Sequence, residues 1–264
     1  MIQRMQPRLQ RILVVDQAPA SARMLADLMR NISPGQSWSA GTNAKAMMAC
    51  NHVDPQLIFV ELSSNDVDGI SFTRELRRSN LPCRQAPVIM VTATATAGAI
   101  IAARDAGVHE FLRKPYNTRD LLKRLEAVIL RPRDWVEAVQ YIGPDRRRFN
   151  SGDYKGKLKR KADNEAKTDA SRIIQALRIL KSALTAIEAD PSQALRSMQA
   201  QVLELQRVAI SVSDPRLLEA VGDFQNYLAN STENGVMISA EAVRKAQSLL
   251  AFLPPEEPRA GKAA

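Results

Sequence analysis

The first 130 residues alternate between short apolar runs and longer segments with helical spacing. Runs that are apolar at every position indicate strands buried on both faces, as in a parallel sheet. The strong runs are Ile12–Val15, Leu57–Val60 and Val88–Val91, and weaker ones lie near Trp38 and at Glu110–Leu112. The helical segments between them are Ser21–Arg30, Asn43–Cys50, Ile70–Arg78, Ala97–Ala106 and Arg119–Ile129. This alternation predicts an α/β domain over residues 8–130, with a five-stranded, doubly wound parallel sheet.

Helical spacing returns in the last hundred residues. The amphipathic segments are Ala170–Ile187, Ser192–Ile210, Arg216–Leu228 and Ala240–Leu253. Asp190-Pro191 and Asp214-Pro215 each place a capping acid before a proline, which is typical of a helix start. We predict a small all-α bundle over residues 168–254, structural or homodimerising, followed by a disordered tail over 255–264. A histidine phosphotransfer bundle is excluded, because the only two histidines, His52 and His109, lie in the first half.

The composition is that of an ordinary globular protein, with 45% hydrophobic and 25% charged residues among 264. No apolar run approaches the roughly 18 residues that a membrane span needs, and no apolar leader opens the chain. Cys50 and Cys83 lack metal-ligand or redox spacing, so we expect reduced thiols in a cytoplasmic protein. The sequence contains no serine, cysteine or metal constellation typical of a hydrolase or transferase. We therefore predict that the protein is not an enzyme.

The net charge of +9 is concentrated in one segment. Residues 131–161 carry ten basic and four acidic side chains, whereas residues 162–264 carry eleven and thirteen. The segment contains glycines and prolines and has no helical period, which predicts a linker or wrapping segment. Its charge predicts contact with an anion. Nucleic acid is an unlikely partner for the bundle, because DNA binding depends on neutralising phosphates with basic residues.

The basic segment contains a degenerate repeat of an aromatic residue, a glycine and three basic residues. The first copy is Tyr141-Ile-Gly-Pro-Asp-Arg-Arg-Arg148, and the second is Tyr154-Lys-Gly-Lys-Leu-Lys-Arg-Lys161. Guanidinium groups bind phosphate or guanine edges, and aromatic rings offer a stacking surface. The candidate ligand-binding residues are Tyr141, Asp145, Arg146, Arg147, Arg148, Tyr154, Lys159, Arg160 and Lys161. The alternative is that the charge run is a solvated linker without a ligand.

Polar residues follow the predicted strands at the edge where such sheets carry their functional crevice. They are Asp16, Gln17, Glu61, Thr92 and Lys114. Because the carboxyl ends of parallel strands meet at one edge, these side chains are expected to converge.

These residues, in this order and spacing, resemble the receiver domains of bacterial response regulators, which have a flavodoxin-like fold. The motifs are Ile12-Leu-Val-Val-Asp16, Glu61 followed by Val67-Asp68-Gly69, Val91-Thr92-Ala93 and Phe111-Leu-Arg-Lys-Pro115. The resemblance implies that Asp16 is one of two acids that hold Mg²⁺. It implies further that Thr92 and Lys114 bind phosphoryl oxygens and that Phe111 is an aromatic switch that swings inward.

Two positions depart from the receiver pattern. Gln17 stands where a second metal acid is expected, and Glu61 stands where the phosphate-accepting aspartate is expected. Mg²⁺ favours carboxylates, so binding is expected to be weak or absent, and the longer glutamate spoils the attack geometry. We predict a degenerate receiver that does not phosphorylate itself. Glu61 is then either a structural partner of Lys114 or a mimic of the phosphorylated state.

The basic tail resembles that of alphaproteobacterial chemotaxis-type receivers with arginine-rich extensions, which respond to cyclic di-GMP and act on the flagellar motor. The matching residues are Gly143–Arg148. The interpretation is a non-enzymatic signalling adaptor that presents its fourth helix, fifth strand and fifth helix to a chemotaxis, motor or other signalling protein. Cyclic di-GMP is a possible ligand. One alternative is a phosphorelay regulator phosphorylated on Asp16 or Asp66, and another is a nucleic-acid-binding regulator that uses the basic stretch.

Overall fold

A computed structural model describes residues 2–94, 96–146, 169–233 and 239–254. The chain divides into two compact units. The first contains Met1–Val136 and the described residues from Tyr141 on, and the second contains Glu137–Gln140 and the described residues from Asp169 on. Among the helices described, none has the length and apolar character needed to cross a membrane.

The first unit is built on a five-stranded parallel sheet in the order β2-β1-β3-β4-β5. The strands are β1 (Arg11–Val15), β2 (Gln36–Ala40), β3 (Leu57–Glu61), β4 (Val88–Thr92) and β5 (Glu110–Arg113). In the register, Leu13 lies opposite Trp38 on one side and Ile58 on the other. The strand order reverses direction at β1, and crevices of such sheets form at that reversal.

Five helices cover the two faces of the sheet. They are α1 (Pro19–Arg30), α2 (Asn43–Val53), α3 (Gly69–Arg78), α4 (Ala97–Asp105) and α5 (Thr118–Leu125). Successive strand residues point to opposite faces, so Ile12 and Phe59 pack in one core cluster while Leu13 and Ile58 pack in the other. The doubly wound fold predicted from the alternating pattern is confirmed.

The first unit extends beyond the predicted domain of residues 8–130 at its amino end. Short helical turns over Ile2–Met5 and Gln6–Arg8 precede β1, and Met5 and Leu9 are fully buried. After α5, the chain continues as a π-helix over Glu126–Leu130. The predicted helical segment Arg119–Ile129 covers most of this π-helix, whereas the two amino-terminal turns are too short to show an apolar period and were not predicted.

Residues 131–146, the described part of the predicted linker or wrapping segment over 131–161, are more than a simple connection between domains. There, β6 (Trp135–Glu137) and β7 (Ile142–Pro144) form a two-stranded sheet. Gly107 has a φ of 92°, and a Cβ added to it would lie 2.5 Å from the carbonyl oxygen of Ile142. This close backbone approach requires glycine, and it packs the segment onto the α4–β5 loop. Residues 147–161 and the predicted tail at 255–264 lie outside the described residues.

The second unit contains the helices predicted for the last hundred residues. They are α6 (Asp169–Thr185), α7 (Pro191–Ser211), α8 (Pro215–Glu233) and α9 (Ser239–Leu250). Leu180, Met198, Phe224 and Leu249 are among the fully buried residues of their common core. The predicted caps are confirmed, because the Asp190 carboxylate accepts a hydrogen bond from the Gln193 N–H at 3.1 Å and Asp214 does the same at the start of α8.

A row of buried polar side chains on α7 holds a short piece of chain against the bundle. Ser197 and Gln201 each donate to the carbonyl oxygen of Glu137 at 3.1 Å. Gln193 donates to the Glu137 carboxylate at 3.0 Å and to the carbonyl oxygen of Ala138 at 3.3 Å. The residues of the row are spaced by four, so they share one face of the helix. This pattern satisfies the polar groups of an extended segment inside an apolar core.

Replacing Asp190 with alanine is expected to destabilise the helical bundle. The substitution removes the acceptor for the Gln193 N–H, which costs about 0.5–2 kcal/mol of unfolding free energy. Asp190→Asn keeps an acceptor oxygen at the same place and serves as the matched control. Urea unfolding followed by circular dichroism measures both variants, and an equal loss in both would contradict the capping role.

Candidate functional site

Four of the five predicted pocket residues lie at the carboxyl end of a strand, either as its last residue or as the residue directly after it. Asp16 follows β1, and its N–H donates to the carbonyl oxygen of Ala40 at 3.1 Å. Glu61 ends β3 and Thr92 ends β4. The Lys114 N–H donates to the Thr92 carbonyl oxygen at 2.7 Å, which fixes the loop after β5. The parallel sheet therefore brings these side chains to one edge, as its topology requires.

The side chain of Lys114 joins the two acids of this pocket. Its Nζ lies 3.1 Å from Asp16 Oδ2 and 3.4 Å from Glu61 Oε1. The Asp16 side chain is only 6% exposed, whereas those of Lys114 and Glu61 are 24% and 20% exposed. An ion pair with one buried carboxylate is less screened by solvent than a surface pair. Of the two ion pairs that Lys114 makes, the one with Asp16 is therefore the stronger.

Asp16 is also held by its own helix start. Ser21 Oγ donates to Asp16 Oδ2 at 2.6 Å, and the Ala18 N–H donates to Oδ1 at 2.9 Å. Burial alone would raise the pKa of Asp16, but the bonds from Ser21 and Ala18 and the Lys114 ammonium hold that pKa below its ordinary value. Burial likewise opposes the charge of Lys114, and its two carboxylate partners outweigh burial and raise the pKa of Lys114.

Gln17 faces away from Asp16 and into the loop after β3. Its Nε2 donates to Asp66 Oδ2 at 2.8 Å, and its Oε1 accepts from the Asn65 N–H at 3.1 Å. Mg²⁺ requires near-octahedral oxygen ligands and favours carboxylates. Among the described residues of this pocket, Asp16 is the one buried acid, and its Oδ2 already accepts hydrogen bonds from Lys114 and Ser21. The Gln17 side-chain oxygen already accepts a hydrogen bond from the Asn65 N–H. This set of donors does not fit a magnesium ion.

Thr92 and Phe111 are both buried, with exposed fractions of 4% and 7%. The Thr92 hydroxyl donates to the carbonyl oxygen of Thr94 at 2.9 Å and accepts from the Thr94 N–H at 3.1 Å. It therefore serves its own loop and not the carboxylates. Phe111 points into the core, where it packs in the same cluster as Val60 and Met90. Both functional roles stay predictions.

Ser21 is the pocket residue that sequence reasoning missed. It lies five residues after Asp16, in the first turn of α1, where a serine usually indicates helix capping. The structure turns its hydroxyl to the carboxylate instead. The sequence indicated this role only weakly, through a serine in the helical turn that follows the acid at the end of β1.

The described part of the basic repeat is bound to the first unit by its own side chains. Arg146 pairs with Asp105 at 2.9 Å, and its guanidinium lies 4.3 Å from the centre of the Tyr141 ring. Tyr141 is 7% exposed, and its hydroxyl donates to the Pro144 carbonyl oxygen at 2.5 Å. The Asp145 N–H donates to the Asp134 carbonyl oxygen at 2.8 Å. The other predicted ligand residues, Arg147, Arg148, Tyr154, Lys159, Arg160 and Lys161, lie outside the described residues.

The burial of Tyr141 bears on how the repeat could bind a ligand. Its ring is already stacked by Arg146, so the tyrosine does not offer that face to a base. Arg146 itself is 45% exposed along its side chain. Among the described residues, the arginine is therefore the better candidate for a direct ligand contact.

Comparison with known proteins finds matches within the first half of the chain. Residues 12–126 match the family described as response regulator receiver domain. The DNA-binding response regulator MtrA of Mycolicibacterium smegmatis is 28% identical over 137 residues, which is 51% of this chain and 57% of MtrA. The KDP operon transcriptional regulatory protein KdpE of Escherichia coli is 30% identical over 120 residues, 46% of this chain and 51% of KdpE. The chain thus matches about half the length of these curated relatives.

A solved structure of the chemotaxis protein CheY4 from Vibrio cholerae is 19% identical, with a TM-score of 0.43, and covers 46% of this chain and 98% of CheY4. The family match covers the part of the chain that contains the five strands of the parallel sheet, from the second residue of β1 on. Residues 12–126 form a response regulator receiver domain of the kind used in two-component signalling.

Replacing Lys114 with methionine is expected to raise the pKa of Asp16 and to destabilise the domain by about 1–3 kcal/mol. Asp16 would remain buried but lose an opposite charge and a hydrogen bond. Because its folded pKa is lowered, ionised Asp16 contributes stability above its ordinary pKa, and that stability is lost as pH falls through the folded value. The variant should therefore lose stability at a higher pH than the wild type on acidification.

Carboxyl NMR titration of Asp16 and thermal unfolding at several pH values measure these two effects. Lys45→Met, which removes an exposed lysine from α2, is the matched control and should change neither. An unchanged Asp16 titration in the Lys114 variant would show that the ammonium does not stabilise the carboxylate.

Proposed function

We propose that the protein is a non-enzymatic signalling adaptor, an atypical response regulator whose receiver domain works without a phosphoryl group. The observation that carries the proposal is the Lys114 ammonium, which contacts Asp16 and Glu61 at once. Both carboxylates belong to the chain itself. The charge that a phosphoryl group would bring to Lys114 is thus supplied in part by Glu61.

The environment of Gln17 supports the same proposal. Phosphoryl transfer depends on cations that neutralise the developing negative charge. With Gln17 bound to Asn65 and Asp66, the pocket offers Mg²⁺ one buried carboxylate, and that carboxylate is already bound to Lys114. A pocket with these partners is poorly suited to collecting a metal and a phosphate donor.

Two roles for Glu61 remain open within this proposal. Its contact with Lys114, at 3.4 Å, fits a structural ion pair that keeps the pocket folded. The buried position of Phe111 favours the second role, because the receiver resemblance associates the inward aromatic with the signalling shape. In that role, Glu61 replaces the phosphorylated acid and holds the domain ready for its partner.

The partner is proposed to bind the face formed by α4, β5 and α5. Ile101 on α4 is 50% exposed, and the exposed residues of β5 and α5 include Arg113, Arg119 and Lys123. An exposed apolar side chain beside basic residues suits a protein surface of complementary, acidic character. A chemotaxis, flagellar-motor or other signalling protein is the proposed class of partner. The helical bundle is proposed to support docking or homodimer formation.

The arginine-rich repeat is proposed to bind an anion, with cyclic di-GMP as the leading candidate. The support is the repeat itself and its resemblance to arginine-rich receiver extensions. Arg146 is half-exposed and already stacks on an aromatic ring, which is the geometry that guanidinium groups use on flat bases. A second candidate is nucleic-acid binding, which the name of the relative MtrA as a DNA-binding response regulator favours.

Acetyl phosphate with Mg²⁺ is expected to leave the intact mass of the protein unchanged. The pocket carries Glu61 where an aspartate would accept phosphate, and Gln17 does not supply a metal acid. The double variant Gln17→Asp/Glu61→Asp restores both acids and is expected to gain one phosphoryl group under the same conditions. A labile phosphate on Asp16 or Asp66 of the wild type would contradict the proposal and support the phosphorelay alternative.

Changing Arg146, Arg147 and Arg148 together to alanine is expected to weaken cyclic di-GMP binding on the order of a hundredfold or more, since each bidentate contact is worth about 1–3 kcal/mol. Lys114→Ala, in the strand-end pocket, is the control and should change the affinity little. Calorimetry at two salt concentrations measures both variants, and binding should weaken as salt rises.

Equal binding by the wild type and the triple variant would move the ligand site elsewhere. Binding of a random-sequence DNA duplex, in place of the nucleotide, would support the nucleic-acid alternative. If the protein binds neither cyclic di-GMP nor the DNA duplex, the interpretation of the repeat as a solvated linker is supported.

A further inference from the structure

A cleft opens at the edge of the sheet opposite to Lys114. It lies beside the amino ends of the strands, because Arg11 begins β1, Gln56 precedes β3, Pro87 precedes β4 and His109 precedes β5. The loops at that end form its walls, and the chain after the π-helix closes one side. Its volume is about 400 Å³. Neither the strand-end pocket nor the described part of the basic repeat lines it.

The charged groups around the cleft give it a positive balance. Three arginines, Arg8, Arg11 and Arg133, line it together with one carboxylate, Asp54. Arg11 pairs with that carboxylate at 2.9 Å, so the two charges offset each other. Burial and the nearby Arg77 and Arg133 charges hold the pKa of His109 well below its ordinary value, so the imidazole is neutral at physiological pH. Arg8 and Arg133 add two further positive charges at the wall. Arg8 donates to the Ile129 carbonyl oxygen at 3.1 Å, and Arg133 donates to the carbonyl oxygens of Asp145 and His109, so backbone contacts hold both guanidinium groups beside the cleft.

The remaining wall is apolar and offers a flat surface. Trp135 and Pro132 line it on one side, and further prolines line the opposite loops. The Arg77 guanidinium lies 5.2 Å from the centre of the Trp135 ring and holds the orientation of the indole. Arg77 also donates to the Ala86 carbonyl oxygen at 3.0 Å, which fixes a second wall. The cleft is thus formed before any ligand arrives, which reduces the entropy lost on binding.

We propose that this cleft binds a nucleoside monophosphate, with the base stacked on Trp135 and the phosphate beside Arg8 and Arg133. Ligand pockets span roughly 300–1,000 Å³, so a volume of about 400 Å³ suits one base, one sugar and one phosphate better than a cyclic dinucleotide. Guanidinium groups form forked hydrogen bonds to phosphate oxygens, and an indole offers a stacking face to any base. The site is independent of the proposed function, because it uses none of the residues of the strand-end pocket.

The chain provides its own reporter for this binding. It contains two tryptophans, Trp38 and Trp135, and Trp38 lies on β2 outside the cleft. In the full-length Trp38→Phe variant, Trp135 is the only indole. Titration with guanosine or uridine monophosphate is expected to quench its fluorescence in a saturable way. Guanosine without phosphate and inorganic phosphate alone should each bind at least tenfold more weakly, because each lacks one of the two contacts.

Arg8→Gln in the same background is expected to weaken nucleotide binding about tenfold, since a hydrogen bond to a charged group is lost. Arg4→Gln removes an exposed arginine from the preceding helical turn, which does not line the cleft, and should leave the affinity unchanged. Thermal unfolding checks that both variants fold. Calorimetry repeats the titration without the fluorescent reporter.

The absence of saturable binding by calorimetry for both monophosphates would overturn the proposal. Equal affinities of the Arg8 and Arg4 variants would overturn it as well, because the phosphate would then lie elsewhere. Neither result would affect the outcome of the acetyl phosphate experiment, so this site and the proposed signalling role fail separately.

Discussion

The first unit depends on one buried cation. Arg77 is 1% exposed, and its guanidinium donates to the carbonyl oxygens of Gly107, Arg84 and Ala86. Burial lowers its pKa, but a guanidinium that is surrounded by carbonyl dipoles remains charged at neutral pH. Losing such a group would leave several carbonyl oxygens buried without donors, which costs more than the bonds themselves contribute. Arg77 thereby ties α3, the loop before β4 and the α4–β5 loop into one body.

The same cation explains why the chain beyond the sheet is ordered. Trp135 lies on the Arg77 guanidinium. Arg77 also binds the carbonyl oxygen of Gly107, and Ile142 and Gly143 pack against that same glycine. The segment after α5 is therefore built into the receiver unit through aromatic and glycine contacts. Basic side chains add to this attachment, because Arg146 pairs with Asp105, Arg131 pairs with Glu126 and Arg133 donates to the carbonyl oxygen of His109.

Periodicity predicted the five strands, the helices and the edge at which Asp16, Glu61 and Lys114 meet, because burial on both faces leaves a continuous apolar run. It missed Arg77, because a charged residue on an amphipathic helix normally faces water, and nothing local distinguishes one that binds distant carbonyls. It also missed the sheet formed by residues 135–144, since three-residue strands are too short to show an alternation. The rotation of Gln17 towards Asp66 depends on a loop whose conformation is set by tertiary contacts.

The pocket at the strand ends has a consequence for timing. A phosphoryl group on a carboxylate is lost by hydrolysis. The rate of that hydrolysis limits how long a phosphorylated domain stays in its signalling state. The carboxylates that hold Lys114 belong to the polypeptide and cannot be hydrolysed away. In a domain that relies on these carboxylates, no hydrolysis step ends the signalling state. The duration of its output would follow the dissociation of whatever binds it, or the amount of protein that the cell maintains.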